Sequence, residues 1–416
     1  MAHLSPLLKQ ATPVIADRGE GAILWDEQGE RYLDFTAGIG VTSTGHAHPD
    51  VVAAAQEQVA KVIHAQYTTV MHRPLLDLVE RMSEVLPAGL DSMFFVNSGS
   101  EAVEAALRLA RQATGRPNVI TFHGGFHGRT VAAASMTTSG TKFRSGFAPL
   151  MPGVAVSPFP NPTHYGWSQE EATAFALREL DYQLQTVSSP QDTAAFLVEP
   201  VLGEGGYVPA SAEFLAGLRE RADRHGILLV LDEVQTGWGR TGRFWGHEHF
   251  GAAPDVLITA KGIASGFPLS GIAASEELMS RAWPGSQGGT YGANAVACAA
   301  ALATLDVMRR EDLVGNAAAR GEQLRGRLQA VADGHTAITD VRGLGLMLGA
   351  EFRTADGTPD GETAARAQQA AARHGLLLLT CGAWSQVVRF IPALVVTEDQ
   401  VDEAGDLWGK ALADVL

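Results

Sequence analysis

From about Arg73 onward the chain alternates helical apolar periodicity with short runs that are apolar throughout, and that alternation leaves few ways to fold. A helical pattern over residues 75–85 precedes a strand over 92–96, a helix over 101–113 and a strand over 118–122. Strands over 194–198, 227–232 and 256–260, with a helix over 212–225, continue the pattern. A run such as Ile227-Leu228-Leu229-Val230-Leu231 has no polar side, so strands of this kind are expected to be covered on both faces. The alternation therefore argues for an α/β domain whose mostly parallel central sheet is sandwiched by helices. In such sheets a ligand sits beyond the carboxyl ends of the strands.

At 416 residues the chain exceeds what one hydrophobic core supports, so at least two domains are expected. Two short strands near residues 22–25 and 31–35, joined by the turn Asp26-Glu27-Gln28-Gly29, and a helix over 50–64 open the sequence. After an alanine-rich helix over 294–309 the pattern changes to helices over 317–332, 361–374 and from 398, with strands near 338–342, 345–352, 376–380 and 387–391. This reads as a smaller α+β domain completed by the N-terminal segment. The expected division is 1–60 (part of the small domain), 61–305 (large domain) and 306–416 (C-terminal part of the small domain). The net charge of −15 argues against a nucleic-acid partner. Two cysteines make no disulfide framework, and no signal segment or membrane-length apolar run is visible, so a cytoplasmic protein is expected.

Three strand ends carry chemistry. The strand ending Leu231-Asp232-Glu233-Val234-Gln235 delivers an acid, which by itself reads equally as a cap or an ion pair. Twenty-nine residues on, the strand Asp255-Val256-Leu257-Ile258-Thr259-Ala260 ends in Lys261, followed by a glycine-rich turn. A lysine there is costly unless it is paired or used covalently. Desolvation lowers the pKa of an amine and makes it nucleophilic toward an aldehyde, and a carboxylate such as Asp232 would hold a proton on the ring nitrogen of pyridoxal phosphate (PLP). The third strand end, Val96-Asn97-Ser98-Gly99-Ser100-Glu101, runs into a helix. It reads either as a phosphate-binding helix start or as a simple capping box.

Together these residues resemble the class III (omega-type) aminotransferases among the fold type I PLP-dependent transferases, especially the 4-aminobutyrate aminotransferases. The resemblance rests on Asn97-Ser98-Gly99-Ser100-Glu101-Ala102-Val103-Glu104, Phe126-His127-Gly128-Arg129-Thr130, Glu199-Pro200-Val201-Leu202-Gly203-Glu204-Gly205-Gly206 and Asp232-Glu233-Val234-Gln235-Thr236-Gly237 with Gly239-Arg240-Thr241-Gly242. It extends through Ala260-Lys261, Gly266-Phe267-Pro268-Leu269, Gly288-Gly289-Thr290-Tyr291 and Val341-Arg342-Gly343-Leu344-Gly345, nearly the whole chain. It implies that Lys261 binds PLP and later moves the proton, that Asp232 pairs the ring nitrogen, that Gln235 approaches the ring hydroxyl, and that Val234 and Phe126 cover the two ring faces. Gly99 and Ser100 would hold the phosphate, with Thr290 reaching in from the other subunit of a homodimer. Arg129 would grip a distal carboxylate. Arg389 would take an α-carboxylate, with Glu204 pairing it when none is present. The implied reaction is ping-pong transfer from an omega-amino acid such as 4-aminobutyrate to 2-oxoglutarate; acetylornithine or ornithine transfer, or amino-acid racemisation on the same scaffold, are the alternatives.

His123 and His127, and His247-Glu248-His249, lack a third ligand at useful spacing, so no metal is expected. Gly343-Leu344-Gly345 lies in an apolar, strand-like stretch and does not open a helix as a dinucleotide fingerprint would. Two departures from the family pattern bear on the pocket. Leu202 stands where Gln is common and is expected to reshape the surroundings of Glu204, and the aromatic-rich residues 158–167 are expected to line the entrance.

Overall fold

A computed structural model describes residues 4–416. The N-terminal strands β1 (Ala16–Glu20), β2 (Ile23–Asp26) and β3 (Arg31–Asp34) form an antiparallel meander. The turn between β2 and β3 is closed by the Gly29 N–H on the Asp26 carbonyl (2.9 Å). Gly29 sits at φ 84°, where a side chain would be strained.

The large sheet begins with β4 (Ser92–Val96), β5 (Asn118–Phe122), β6 (Val154–Ser157) and β7 (Thr193–Val198). A small hairpin, β8 (Val201–Leu202) and β9 (Val208–Pro209), follows. The sheet is then completed by β10 (Leu228–Asp232), β11 (Val256–Thr259) and β12 (Ser270–Ala274). Its order is β4-β12-β11-β10-β7-β5-β6. Only β12 runs against the rest, antiparallel to both β11 and β4. Successive residues alternate between two apolar layers. Val119, Leu197 and Val230 pack with the helix Gly99–Thr114, while Ile120, Val198 and Leu231 pack with the helices Gln169–Thr186 and Ala212–His225. Covering both faces is what an all-apolar strand requires.

Beyond the helix Ala295–Arg310 come β13 (Ile338–Leu344), β14 (Met347–Phe352), β15 (Leu376–Leu377), β16 (Leu379–Cys381) and β17 (Val387–Phe390). Four of these form a sheet ordered β13-β14-β17-β16. The fifth, β15, pairs in parallel with β3, which ties the C-terminal part of the chain to its start. The strand expected over 376–380 is thus split between two sheets. Gly343-Leu344-Gly345 belongs to the β13–β14 hairpin, where Leu344 pairs with Met347.

Some elements escape the sequence pattern. β12 is Ser-Gly-Ile-Ala-Ala, too small-sided to read as a strand. β6 is only four residues. The helix Gln169–Thr186 did carry a readable start, the Ser168/Glu171 capping box. Arg240, in the loop after β10, is buried without a carboxylate partner; its Nη1 donates to the carbonyls of Leu346 (3.1 Å) and Pro392, and burial pushes its pKa down to about 10. The Leu346 N–H returns to the Arg240 carbonyl (3.0 Å). Among the described residues no helix is long and apolar enough to cross a membrane.

Trp408, fully buried, meets Phe352 and Phe390 edge-to-face at 6.1 and 5.3 Å. Trp408→Ala is expected to cost about 3–5 kcal/mol. The measurement is a denaturant titration, read as a lower midpoint at unchanged slope.

Candidate active site

Five strands of the large sheet run out at one place. β10 ends on Asp232, β11 runs into Ala260-Lys261, and β7 into Glu199. β4 leads through Asn97-Ser98 into the helix Gly99–Thr114, and β5 into the loop that holds Phe126 and His127. A cavity of about 290 Å³ opens there. Its wall includes seven of the eleven expected site residues: Gly99, Ser100, Phe126, Asp232, Val234, Gln235 and Lys261.

Lys261 adopts φ 47°, in the left-handed region that non-glycine residues avoid. Strain of this kind costs on the order of 1–3 kcal/mol and clusters at functional sites. Burial pulls the amine below its ordinary pKa, against the opposing charges of Glu204, Asp232 and Glu199 in that order. Asp232 is buried, its Oδ2 2.8 Å from His127 Nδ1, and its Oδ1 accepts the Val234 N–H (3.1 Å). An ionised carboxylate only accepts, so His127 donates from Nδ1. His247 is similarly occupied by Glu233 (2.9 Å), which also takes the backbone N–H groups of Gly246 and His247.

The Ser98 turn is a capping box. Glu101 N donates to Ser98 Oγ (3.3 Å) and Ser98 N to Glu101 Oε2 (2.8 Å), a full capping box. That cap leaves the amides of Gly99 and Ser100 at the positive end of a 16-residue helix. Gly99 has no spare room, since a Cβ there would stand 3.2 Å from Val234 Cγ1. Gln235 Oε1 is buried with no protein partner.

These features fit PLP group by group. Helix-start amides suit its phosphate, Gln235 its ring hydroxyl, the histidine-held Asp232 its ring nitrogen, and the desolvated Lys261 its aldehyde.

The other four expected residues lie outside the cavity wall. Glu204, half-buried, and Arg389, buried, form an ion pair through Glu204 Oε1 and Arg389 Nη1. Burial alone would raise the Glu204 pKa, but the charge and hydrogen bond of Arg389 outweigh it and hold the carboxyl below its usual value. Arg389 is raised in turn, burial being overcome by Glu204. Arg129 is exposed, its guanidinium 4.9 Å from the Phe143 ring centroid. Thr290 is exposed and remote from its own chain's cavity; its carbonyl meets His64 Nε2 at 2.7 Å.

Two features singled out from the sequence stand apart from the cavity wall. Residues 158–167 do not line the cavity: Tyr165 stacks on Trp167, Phe175 meets both edge-on, and His164 stacks on Trp384. Leu202 packs in the apolar layer with Phe122 and Val208 and not toward the cavity. Sequence reasoning also gave no role to His127 or Glu199. Glu199 follows an apolar strand as Asp232 does, and the same rule would have marked it.

Fold and site together define a PLP enzyme. The family model for aminotransferase class-III matches residues 7–412, and the chain belongs to that family, making it a PLP-dependent aminotransferase. The 5-aminovalerate aminotransferase DavT of Pseudomonas aeruginosa is 40% identical over 95% of this chain and 92% of its own. The 4-aminobutyrate aminotransferase GabT of Escherichia coli is 41% identical over 94% and 92%. The crystal structure of an amine transaminase from an uncultivated Pseudomonas species, in its PLP-bound form, superposes with TM-score 0.93 at 30% identity over 100% of this chain and 99% of that one.

Because the folded pKa of Glu204 is depressed, its contribution to stability is present above the ordinary value of 4.5 and is lost as pH falls through the lowered one. The gap in unfolding free energy between wild type and Glu204→Gln is therefore expected to be constant between roughly pH 6 and 8 and to narrow under acid. Denaturant titrations of both proteins across that range measure it.

Proposed function

We propose that the enzyme moves the amino group of an omega-amino acid of four or five carbons to 2-oxoglutarate in two half-reactions. The observation that carries this reading is the part-buried Glu204–Arg389 pair, whose carboxylate is also the strongest opposing charge on Lys261. An omega-amino acid brings no carboxylate beside its amine. Arg389 would then be a bare cation in a dry site, and Glu204 neutralises it. A 2-oxo acid brings its own carboxylate, which displaces Glu204 with two parallel hydrogen bonds. The relatives that act on 4-aminobutyrate and 5-aminovalerate support the same substrate class.

Bound PLP supplies an aldehyde for the amine and a ring that takes up the electron pair left on the substrate carbon. In our reading Lys261 holds the cofactor and then, released, carries the proton. Asp232, fixed by His127, keeps the ring nitrogen protonated. Gly99 and Ser100 take the phosphate, Gln235 the ring hydroxyl, and Val234 and Phe126 the two ring faces. Arg129, with its charge spread over Phe143, meets the distal carboxylate. Mixing the enzyme with 4-aminobutyrate or 5-aminovalerate and 2-oxoglutarate should yield glutamate, and Lys261→Ala should yield none. Arg389→Lys should raise the KM for 2-oxoglutarate about 10–100-fold and leave the donor KM nearly unchanged. Absence of glutamate with every omega-donor overturns the reading, and loss of optical rotation by an α-amino acid without any acceptor would mark a racemase instead.

We also propose that residues 1–60 and 306–416 form a smaller domain beside a PLP-binding domain of residues 61–305, and that the enzyme is a homodimer. Ile63, Val70, Met71 and Tyr291 are each more than half exposed, and His64 ties that stretch to Thr290. A second copy covering this apolar strip would receive Thr290 at its phosphate. Sedimentation should give twice the chain mass, and a monomer that still turns over substrate would contradict it.

A further inference from the structure

Glu199 is 4% exposed at the end of β7, and no cation contacts it. Burial raises its pKa to about 7; Asp232 adds to the rise and His127 opposes it. A carboxyl kept in such a place needs a reason. Its two oxygens have separate tasks. Oε1 accepts the N–H of Phe126 (2.8 Å) and Oε2 the N–H of Gly203 (2.9 Å). The first segment supplies the ring that faces the cofactor cavity, and the second is the turn that leads into Glu204.

Both segments are held on either side of these bonds. Around Phe126, the His127 N–H donates to Thr137 Oγ1 (2.9 Å) and the Thr138 N–H to the Gly125 carbonyl (2.7 Å). In the turn, the Gly206 N–H donates to the Gly203 carbonyl (3.1 Å), and the Gly382 N–H to the Glu204 carbonyl (2.9 Å). Gly203 lies so close to Gln235 that a Cβ would stand 2.8 Å from its Nε2. The peptide of Glu204 is thus fixed before and after its side chain.

We propose that Glu199 is a positioning residue, one carboxylate that anchors both the Phe126 loop and the Gly203–Glu204 turn, so that Glu204 leaves Arg389 by side-chain rotation over a stationary backbone. The function of that rotation rests on the reading of Glu204 and Arg389 given above. The two backbone donors come from different loops and each meets its own oxygen of the carboxylate. Glutamine offers one, and its NH₂ would confront the other N–H. Aspartate is one methylene too short to reach both.

The test is amide hydrogen exchange on the holoenzyme, with steady-state kinetics beside it. In Glu199→Gln, peptides covering 123–128 and 201–206 should both exchange roughly fivefold faster or more, while β10 and β11 keep wild-type rates. The KM for 2-oxoglutarate should rise about tenfold, with the donor KM within about twofold. Unchanged exchange in either segment overturns the proposal. If the Gln variant loses its cofactor or its fold, Glu199→Asp decides: it must free one segment and hold the other, and both free or both held refutes the double anchor. The exchange experiment needs no substrate. A wild-type enzyme indifferent to 2-oxoglutarate would therefore remove the substrate reading while the anchor is still judged by exchange alone.

Discussion

An amine at the end of a strand buried on both faces is the constraint around which the rest is arranged. Lys261 sits with positive φ in a wall from which water is largely excluded, and its proton is loosened by that burial. Left alone, such a group would be a defect in the sheet. Three carboxylates lie close enough to act on it, and each comes from a different strand end or the turn after it. The parallel sheet makes this possible, because neighbouring strands that run the same way bring their carboxyl ends to one edge. The histidine that holds Asp232 arrives from β5 by the same geometry.

The substrate side is built differently. Arg389 belongs to β17 of the C-terminal sheet, where it pairs with Gly349 and Leu379. Glu204 follows the large sheet, in the turn of a small hairpin. Their ion pair therefore joins two sheets that have no strand in common. In the reading proposed above, cofactor chemistry falls to one edge of the large sheet, and recognition of carboxylates to the contact between the small hairpin and the C-terminal sheet.

Much of this was legible from residues alone. The strands that end in Asp232 and Lys261 are apolar on both sides, so their position and the polarity at their ends are local facts. The Ser98 turn was ambiguous between cap and anion site, and it serves as the first while leaving amides free for the second. What stayed hidden depends on neighbours distant in the chain. His127 was set aside as a metal ligand and given no other role, and only the fold sets it against Asp232, 105 residues away. β12 has side chains too small to declare a strand and is recognisable only by the two partners it pairs. The aromatics of residues 158–167 suggested a binding wall, yet they spend their faces on each other.

Arg240 carries one last mechanical meaning. Its guanidinium spans from the loop after β10 to the carbonyls of Leu346 and Pro392, and nothing negative balances it. Opening this seam would take both carbonyl acceptors from the guanidinium. With the Leu346 N–H returning to the Arg240 carbonyl, the loop after β10 is fastened to the C-terminal segments at three points. Arg129 and Lys142, by contrast, keep their charges in water, 4.9 and 5.0 Å from the Phe143 ring centroid.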